Sequence, residues 1–290
     1  MEDSHPSLSQ ETHRHLSDGG KKVRKSLGQH YLISPGVVEK IARACLSHAG
    51  DNRRVVEIGP GLGALTGKLL ELGLKVNAVE IEAESRDILE EKFSGAYPET
   101  FRILHRDFMT LRADELSEGD GTYLLAGNLP YNLTSEILFR SLEEHLPHLH
   151  AMVYMMQKEV AVRIRNSPGG REYGILSVLL QPYFDISLLV KVAPGSFFPP
   201  PKVDSEVLLF VKKKEQPVFK NRALFKSFVR TAFNQRRKQL RAAFRGASLG
   251  DWDTVRLEKL WERFPDRASA RAESLGWEAF RELAEGYGAL

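Results

Sequence analysis

Cysteine is all but absent: Cys45 stands alone in 290 residues. A single thiol excludes a disulfide within the chain and makes a cysteine-based metal site untenable, and a reducing cytoplasm suits it. Cys45 itself falls on the apolar face of a helical pattern and reads as core. No apolar run approaches the ~18 to 20 residues that would span a bilayer, so no membrane anchor is expected. The N-terminus lacks the apolar stretch of a secretory signal. Met1 to Gly20 is polar, with His5, His13 and His15, and residues 1–22 read as a disordered tail. A metal-ligand spacing is missing as well. Pro147 interrupts His145, His148 and His150, with no matching Cys or carboxylates nearby, so zinc is not expected.

Acid is scarce in one segment, and there positive charge is concentrated. Between Lys212 and Arg245 stand twelve Lys or Arg against one acid, Glu215, a net +11 inside a chain of formal net charge +3. The remainder is therefore net −8. A basic block on an otherwise acidic protein suits a polyanionic partner better than the ordinary lacing of a solvated helical face. With 42% hydrophobic and 27% charged residues, the chain suits one large globular domain or two unequal ones.

Periodicity orders the chain. Val37, Val38, Ile41, Ala42 and Leu46 recur at helical spacing behind Ser34-Pro35, a cap and first position. Strands are expected at Arg54–Ile58, Lys75–Glu80, Phe101–Leu104, Thr122–Ala126 and Ala151–Met156, with two more near 184–192 and 205–212. Helices are expected at Ala64–Leu72, Glu82–Phe93 and Ser135–Glu144. Strands alternating with helices of about ten residues imply a mainly parallel, doubly wound α/β sheet, with a ligand crevice at the strands' C-terminal ends. Beyond Lys214 the pattern changes: Phe225, Phe228, Val229, Ala232 and Phe233 follow an i, i+3, i+4, i+7, i+8 spacing. Residues 23–214 therefore read as a Rossmann-like domain, and 215–290 as a smaller all-helical domain.

Glu57-Ile58-Gly59-Pro60-Gly61-Leu62-Gly63-Ala64 ends the first strand and opens a helix, where glycines allow a tight turn and close approach of a ligand. Glu80 closes the second strand and can accept both hydroxyls of a ribose. Two cofactors remain open on these residues. Gly59, Gly61 and Ala64 satisfy the dinucleotide pattern, so NAD is one. S-adenosyl-L-methionine is the other: it carries an ammonium and a sulfonium and no pyrophosphate. Glu57 and Asp107, just past the third strand, form the acid-rich rim that this second cofactor favours. A bare strand-to-helix turn is the bland alternative.

After the fourth strand comes GNLPYN, residues 127–132. The Asn128 amide can accept from an exocyclic amine, a backbone carbonyl near Pro130 can accept a second N–H, and Tyr131 can stack on the base. Methyl transfer needs mainly in-line positioning, since a sulfonium is already a good electrophile. A packed Asn-Pro turn is the structural alternative.

At this point the chain resembles the ribosomal RNA adenine dimethyltransferases. The resemblance runs from Lys25 to about Arg245, through seven segments in order: GQHYL (28–32), EIGPGLG (57–63), Asp107, NLPYN (128–132), QKEV (157–160), FFPPPKVDS (197–205) and AFNQRRK (232–238). It implies a class I methyltransferase sheet of seven strands. It also implies S-adenosyl-L-methionine held by His30, Leu32, Gly59, Glu80, Asp107 and Asn128, with Glu57 and Gly61 in the same loop. Catalysis falls to Asn128, Leu129, Pro130 and Tyr131. The family's proline loop faces NLPY, so Phe197 is expected as the second stacking face. The implied reaction is N6,N6-dimethylation of two adjacent adenosines in a hairpin loop near the 3′ end of 16S rRNA. Its setting is the immature small ribosomal subunit, with a cytoplasmic monomer, no metal and no membrane. The family usually has Asn where this chain has His30, whose imidazole can still donate to a carboxylate. A family relative serving as an RNA-binding assembly or transcription accessory factor is the non-enzymatic alternative; Glu80, Asp107 and NLPY argue against it.

FNQRRKQLRAAFR read as a single helix places Lys238, Arg241 and Arg245 on one face, with Phe233, Leu240 and Phe244 on another. Arg236, Arg237, Lys238, Arg241 and Arg245 are accordingly the expected RNA-binding residues, positioning phosphates without reading sequence. Lys21, Lys22, Arg24 and Lys25 extend the track. Lys202 and Asp204 are as suited to bracing the proline loop as to touching substrate.

Overall fold

The computed structural model describes Gln10 and residues 30–116, 121–247, 250 and 252–290. The N-terminal tail and the cations at 21–25 lie outside the described residues. Seven strands form one sheet: β1 (Arg54–Ile58), β2 (Lys75–Glu80), β3 (Phe101–His105), β4 (Tyr123–Asn128), β5 (Leu149–Gln157), β6 (Phe184–Val192) and β7 (Ser205–Lys212). Their spatial order is β3-β2-β1-β4-β5-β7-β6. The first four neighbour pairs are parallel, and β7 runs antiparallel to β5 with Gln157 opposite Ser205. All five residues of β1 are buried. Even Arg54 and Glu57 are buried there, since a parallel sheet is covered on both faces.

From β1 the chain winds outward through β2 to β3, then returns to the other side of β1 as β4. The strand order thus reverses between β1 and β4, and the crevice opens at their C-terminal ends. Gly127 makes this closeness possible. A Cβ there would lie 2.5 Å from the backbone oxygen of Ile58. Helix α1 (Pro35–His48) buries Val37, Val38, Ile41 and Cys45, and α2 (Ala64–Glu71) starts from the left-handed Gly63. The expected helix over 82–93 is divided: α3 (Ala83–Leu89) gives way to a π-helical turn, Glu90–Ser94. After it α4 (Thr134–Arg140) follows the GNLPYN loop.

The chain divides into two compact units. The first is Met1–Ala161 with Ile186–Lys212, and the second is Val162–Asp185 with Lys213–Leu290. Lys214, the expected boundary, is close to the break after Lys212, but the second unit also takes in an internal segment. That segment contains helices not foreseen in the sequence, the end of α5 (Lys158–Arg165) and α6 (Ile175–Leu180). In the second unit, α7 (Arg222–Asn234) is capped by Asn221, whose side chain accepts from Leu224 N at 2.9 Å. Helices α8 (Leu240–Arg245), α9 (Thr254–Arg263) and α10 (Trp277–Gly288) follow, with a short helical turn at Pro265–Ser269 between the last two. Phe228 is its hub, 4.3 Å from Phe244 and 6.3 Å from Trp261 by ring centroids.

Candidate active site

The glycine loop is built as its residues require. Gly59, Gly61 and Gly63 have φ of 63°, 58° and 84°, the left-handed region where only glycine is free of strain. A Cβ on Gly59 would meet nothing within 4 Å, so the backbone there faces open space. Glu80 ends β2 with its carboxylate already oriented. Gly61 N–H donates to one oxygen at 3.3 Å and Glu82 N–H to the other at 2.9 Å. Each oxygen keeps a lone pair for a ribose hydroxyl. Burial raises the Glu80 pKa above the usual carboxylate range.

Glu57 lies elsewhere than expected. It is only 2% exposed and accepts from Thr66 Oγ1 of α2 at 2.6 Å, so it is buried against the helix and not on an open rim. Burial first, then Glu80, pushes its pKa up to about 7 against the Thr66 hydrogen bond. Asp107 is exposed. One of its oxygens caps the turn Phe108–Thr110 by accepting from Met109 N at 2.9 Å.

Asn128 is the last residue of β4, not a residue past it. Its Nδ2 donates to the backbone carbonyl of His30 at 2.8 Å. A carbonyl can only accept, so this bond fixes which end of the amide faces where. The carbonyl of Pro130 accepts from Leu133 N and from Thr134 Oγ1, both at 3.0 Å, which fills its two lone pairs. Leu129, 1% exposed, is held by its N–H to Met155 O at 3.0 Å, and no described residue donates to its carbonyl. Of the two carbonyls, that of Leu129 is the one left without a donor among the described residues. Tyr131 is anchored through its hydroxyl to Ser205 Oγ at 2.7 Å, and burial raises its pKa.

Phe197 is not placed as a stacking face. It is 2% exposed, lies in the hydrophobic core and pairs with buried Leu32 across a two-stranded antiparallel ribbon, Tyr31–Leu32 with Phe197–Phe198. Strand alternation explains this: Leu32 and Phe197 share the core side, so Tyr31 and half-buried Phe198 share the other. Leu32, 8% exposed, can offer a ligand only its backbone. Tyr31 was missed in the sequence although it sits within GQHYL. Its ring lies 3.1 Å from where a Gly61 Cβ would be, and burial followed by Glu82 and Glu80 raises its phenol to about 12. Two of the three histidines from 145 to 150 have hydrogen-bond partners within the fold. His145 is fully buried with Nδ1 2.7 Å from the Tyr123 hydroxyl, and His148 Nδ1 lies 2.7 Å from Gly121 O.

Residues 20–253 match the family model for ribosomal RNA adenine dimethylase. The chain belongs to that family. It is 39% identical over 251 residues to the ribosomal RNA small subunit methyltransferase A of Porphyromonas gingivalis, covering 86% of this chain and 93% of the relative. To the protein of the same name from Xanthomonas oryzae pv. oryzae it is 40% identical over 265 residues, covering 90% and 95%. Among solved structures it resembles the 23S rRNA methyltransferase ErmE, at 26% identity and a TM-score of 0.63, covering 89% and 99%. A dimethyladenosine transferase from Plasmodium falciparum shares the fold, with a TM-score of 0.70 and 24% identity over 88% of this chain and 96% of that one. Membership makes the chain a methyltransferase, and the dehydrogenase reading of the glycine loop falls away.

In this adenine dimethylase the basic block is not one helix. Helix α7 ends at Asn234 and α8 begins at Leu240, because the intervening backbone is recruited elsewhere. Gln239 bridges to Arg271, and Leu240 N–H donates to Ala270 O at 2.8 Å. Lys238 consequently sits in a turn and shares no helical face with Arg241 and Arg245. Arg236 is tied down, with Nε 2.7 Å from Glu273 and a terminal nitrogen on the Arg171 carbonyl. Arg241 pairs with Glu258, which Arg245 also approaches at 3.5 Å. Arg237 and Lys238 are exposed, and with Arg171, Phe233 and Asn234 they line a concavity of about 920 Å³ within the second unit.

Proposed function

We propose that this protein transfers methyl groups from S-adenosyl-L-methionine to the N6 amines of two adjacent adenosines in a hairpin loop near the 3′ end of 16S rRNA, within the immature small ribosomal subunit of the cytoplasm. The observation that carries this reading is the Asn128 amide, turned by His30 so that Oδ1 remains an acceptor at the end of β4.

The residues present suit the cofactor. Gly59 leaves open space for close approach, Glu80 is oriented for ribose hydroxyls, and Ile81, 61% exposed, offers an apolar surface beside it. Asp107 keeps one carboxylate oxygen without a partner among the described residues, suited to a cationic group. Bound there, S-adenosyl-L-methionine supplies an electrophilic methyl.

The chain's own work is positioning. Asn128 Oδ1 and the Leu129 carbonyl accept the two N–H bonds of an adenine amine, which directs its lone pair out of the base plane. Tyr131, braced by Ser205, covers one face of the base. The neutral amine needs no base before attack, and the surplus proton leaves to water afterwards. Arg237 and Lys238 suit the phosphates of the RNA. The test is methyl incorporation from labelled cofactor into small subunits that lack the modification, with the modified nucleotides mapped. Absence of transfer by the wild-type protein, or transfer by Asn128→Ala at near wild-type rate, overturns the reading.

A further inference from the structure

Residue 30 touches both halves of the amine subsite at once. Its backbone carbonyl receives Asn128 Nδ2–H, while its imidazole Nδ1 lies 2.7 Å from the carbonyl of Pro199, 169 residues downstream. A proline carbonyl can only accept, so Nδ1 carries a proton and that donor is engaged. The ring also flanks Tyr131, with centroids 5.6 Å apart and planes inclined by 35°. The same connection continues along the chain: Tyr31–Leu32 pairs with Phe197–Phe198, and Ile33 N–H donates to Ser196 O at 2.9 Å.

We propose that His30 is the positioning residue of the amine subsite: through Pro199 it holds the proline loop against the NLPY loop, and so keeps the Asn128 amide and the Tyr131 ring in register. On this assignment the imidazole Nδ1 is engaged by Pro199 and does not donate to the cofactor, in contrast to the role that the family resemblance implies. The proposal rests on the methyltransferase reading for its kinetic arm only.

Side-chain geometry supplies the discriminating variants. Asn carries its amide nitrogen at the same branch point as histidine Nδ1 and can reach the Pro199 carbonyl. Gln carries it one methylene farther out and Ala lacks it, while the backbone carbonyl that orients Asn128 survives in all three. His30→Ala and His30→Gln are expected to lower kcat by about 10- to 100-fold, the scale of a small misplacement at a reacting centre. Cofactor Kd, measured by calorimetry, should change less than about 3-fold, and His30→Asn should recover about 10-fold of the loss.

An independent arm reads the loop itself by trypsin cleavage after exposed Lys202 of the folded protein. Cleavage should be slow in wild type and His30→Asn, and faster in His30→Ala and His30→Gln. The proposal is overturned by cofactor affinity falling in step with kcat, by Asn performing no better than Ala, or by equal cleavage in all four proteins. If the wild type methylates nothing while cleavage follows the expected order, the functional reading fails and the clasp stands.

Discussion

Asn128 Nδ2 and the carbonyl of His30 stand 2.8 Å apart, although 98 residues separate them in the chain. This bond is what turns a symmetric-looking amide into a directional acceptor. Asn128→Asp replaces the donor with a second oxygen, which the His30 carbonyl repels. Both Asn128→Asp and Asn128→Ala should lower kcat by about 100-fold or more, with cofactor Kd altered less than about 5-fold. Methyl incorporation and calorimetry measure the two, and an Asp variant keeping a tenth of wild-type kcat would sink the orientation argument.

Gly127 should tolerate no side chain. The Ile58 backbone oxygen would be 2.5 Å from its Cβ, and backbone in two paired strands cannot step aside as a flexible side chain would. Gly127→Ala is expected to cost about 1–3 kcal/mol, the usual range for overpacking. Urea unfolding reports it, and an unchanged midpoint contradicts it.

Two buried groups give opposing pH dependences. Glu57 titrates at about 7 folded and near 4.5 unfolded. Between those values the unfolded chain has lost a proton that the folded protein keeps, so this group makes stability fall as pH rises, and it levels off above about 7. His145, lowered to about 4 chiefly by burial, acts in the opposite sense. Between about 4 and 6.5 the unfolded state holds the extra proton, so its contribution to stability increases with pH. Glu80, also raised by burial, contributes a decline in both proteins. Glu57→Gln should therefore differ from wild type by losing the Glu57 share of the fall over about pH 4.5–7, its curve rising more or falling less than the wild-type one. A pH series of urea midpoints for the two proteins checks this, and superimposable curves refute it.

Tyr131 separates ring from hydroxyl. Tyr131→Phe loses the bond to Ser205 but retains the face, and the KM for the subunit should rise less than about 5-fold. Tyr131→Ala loses a stacking surface worth about 1–3 kcal/mol and should raise it about 10- to 100-fold. Steady-state kinetics with subunits in excess distinguishes them; equal effects would assign the residue to packing alone.

On the basic block the cations should not be equivalent. Arg237→Ala or Lys238→Ala should each reduce the slope of log affinity against log salt by about 0.7 to 0.9, the share of one phosphate contact. Arg241 and Arg245 lean on Glu258, and their removal should change that slope less. Filter binding to small-subunit RNA over a salt series tests the order, and a larger effect at Arg241 than at Arg237 reverses it.

The α/β frame is legible because parallel strands buried on both faces leave short apolar runs, two of them closed by glycine at Gly59 and Gly127. Glu80 at the end of β2 and the glycine loop after β1 were readable for the same reason. What escaped the sequence depends on long-range pairing. The Tyr31–Phe198 ribbon is two residues long on each side and carries no periodicity of its own, so the family resemblance alone suggests an accessible Phe197, and only the register places it in the core. Local propensity permits the basic block to form one helix. The bridge from Gln239 to Arg271, distant in sequence, is what ends it. Helix α6 (ILSVLL) is buried almost throughout, so no amphipathic stripe marked it.

The clasp between residues 30 and 199 also sets an order of construction. During synthesis the glycine loop, Glu80, Asp107 and Asn128 all emerge before Pro199, so the face that would grip a methyl donor can be in place while the wall around the base is still on the ribosome. Closing a contact across 169 residues is a late and slow event for any chain. A chain that ends before Pro199 carries the glycine loop, Glu80, Asp107 and Asn128 but lacks the carbonyl that His30 reaches, and so lacks the closure of the amine subsite.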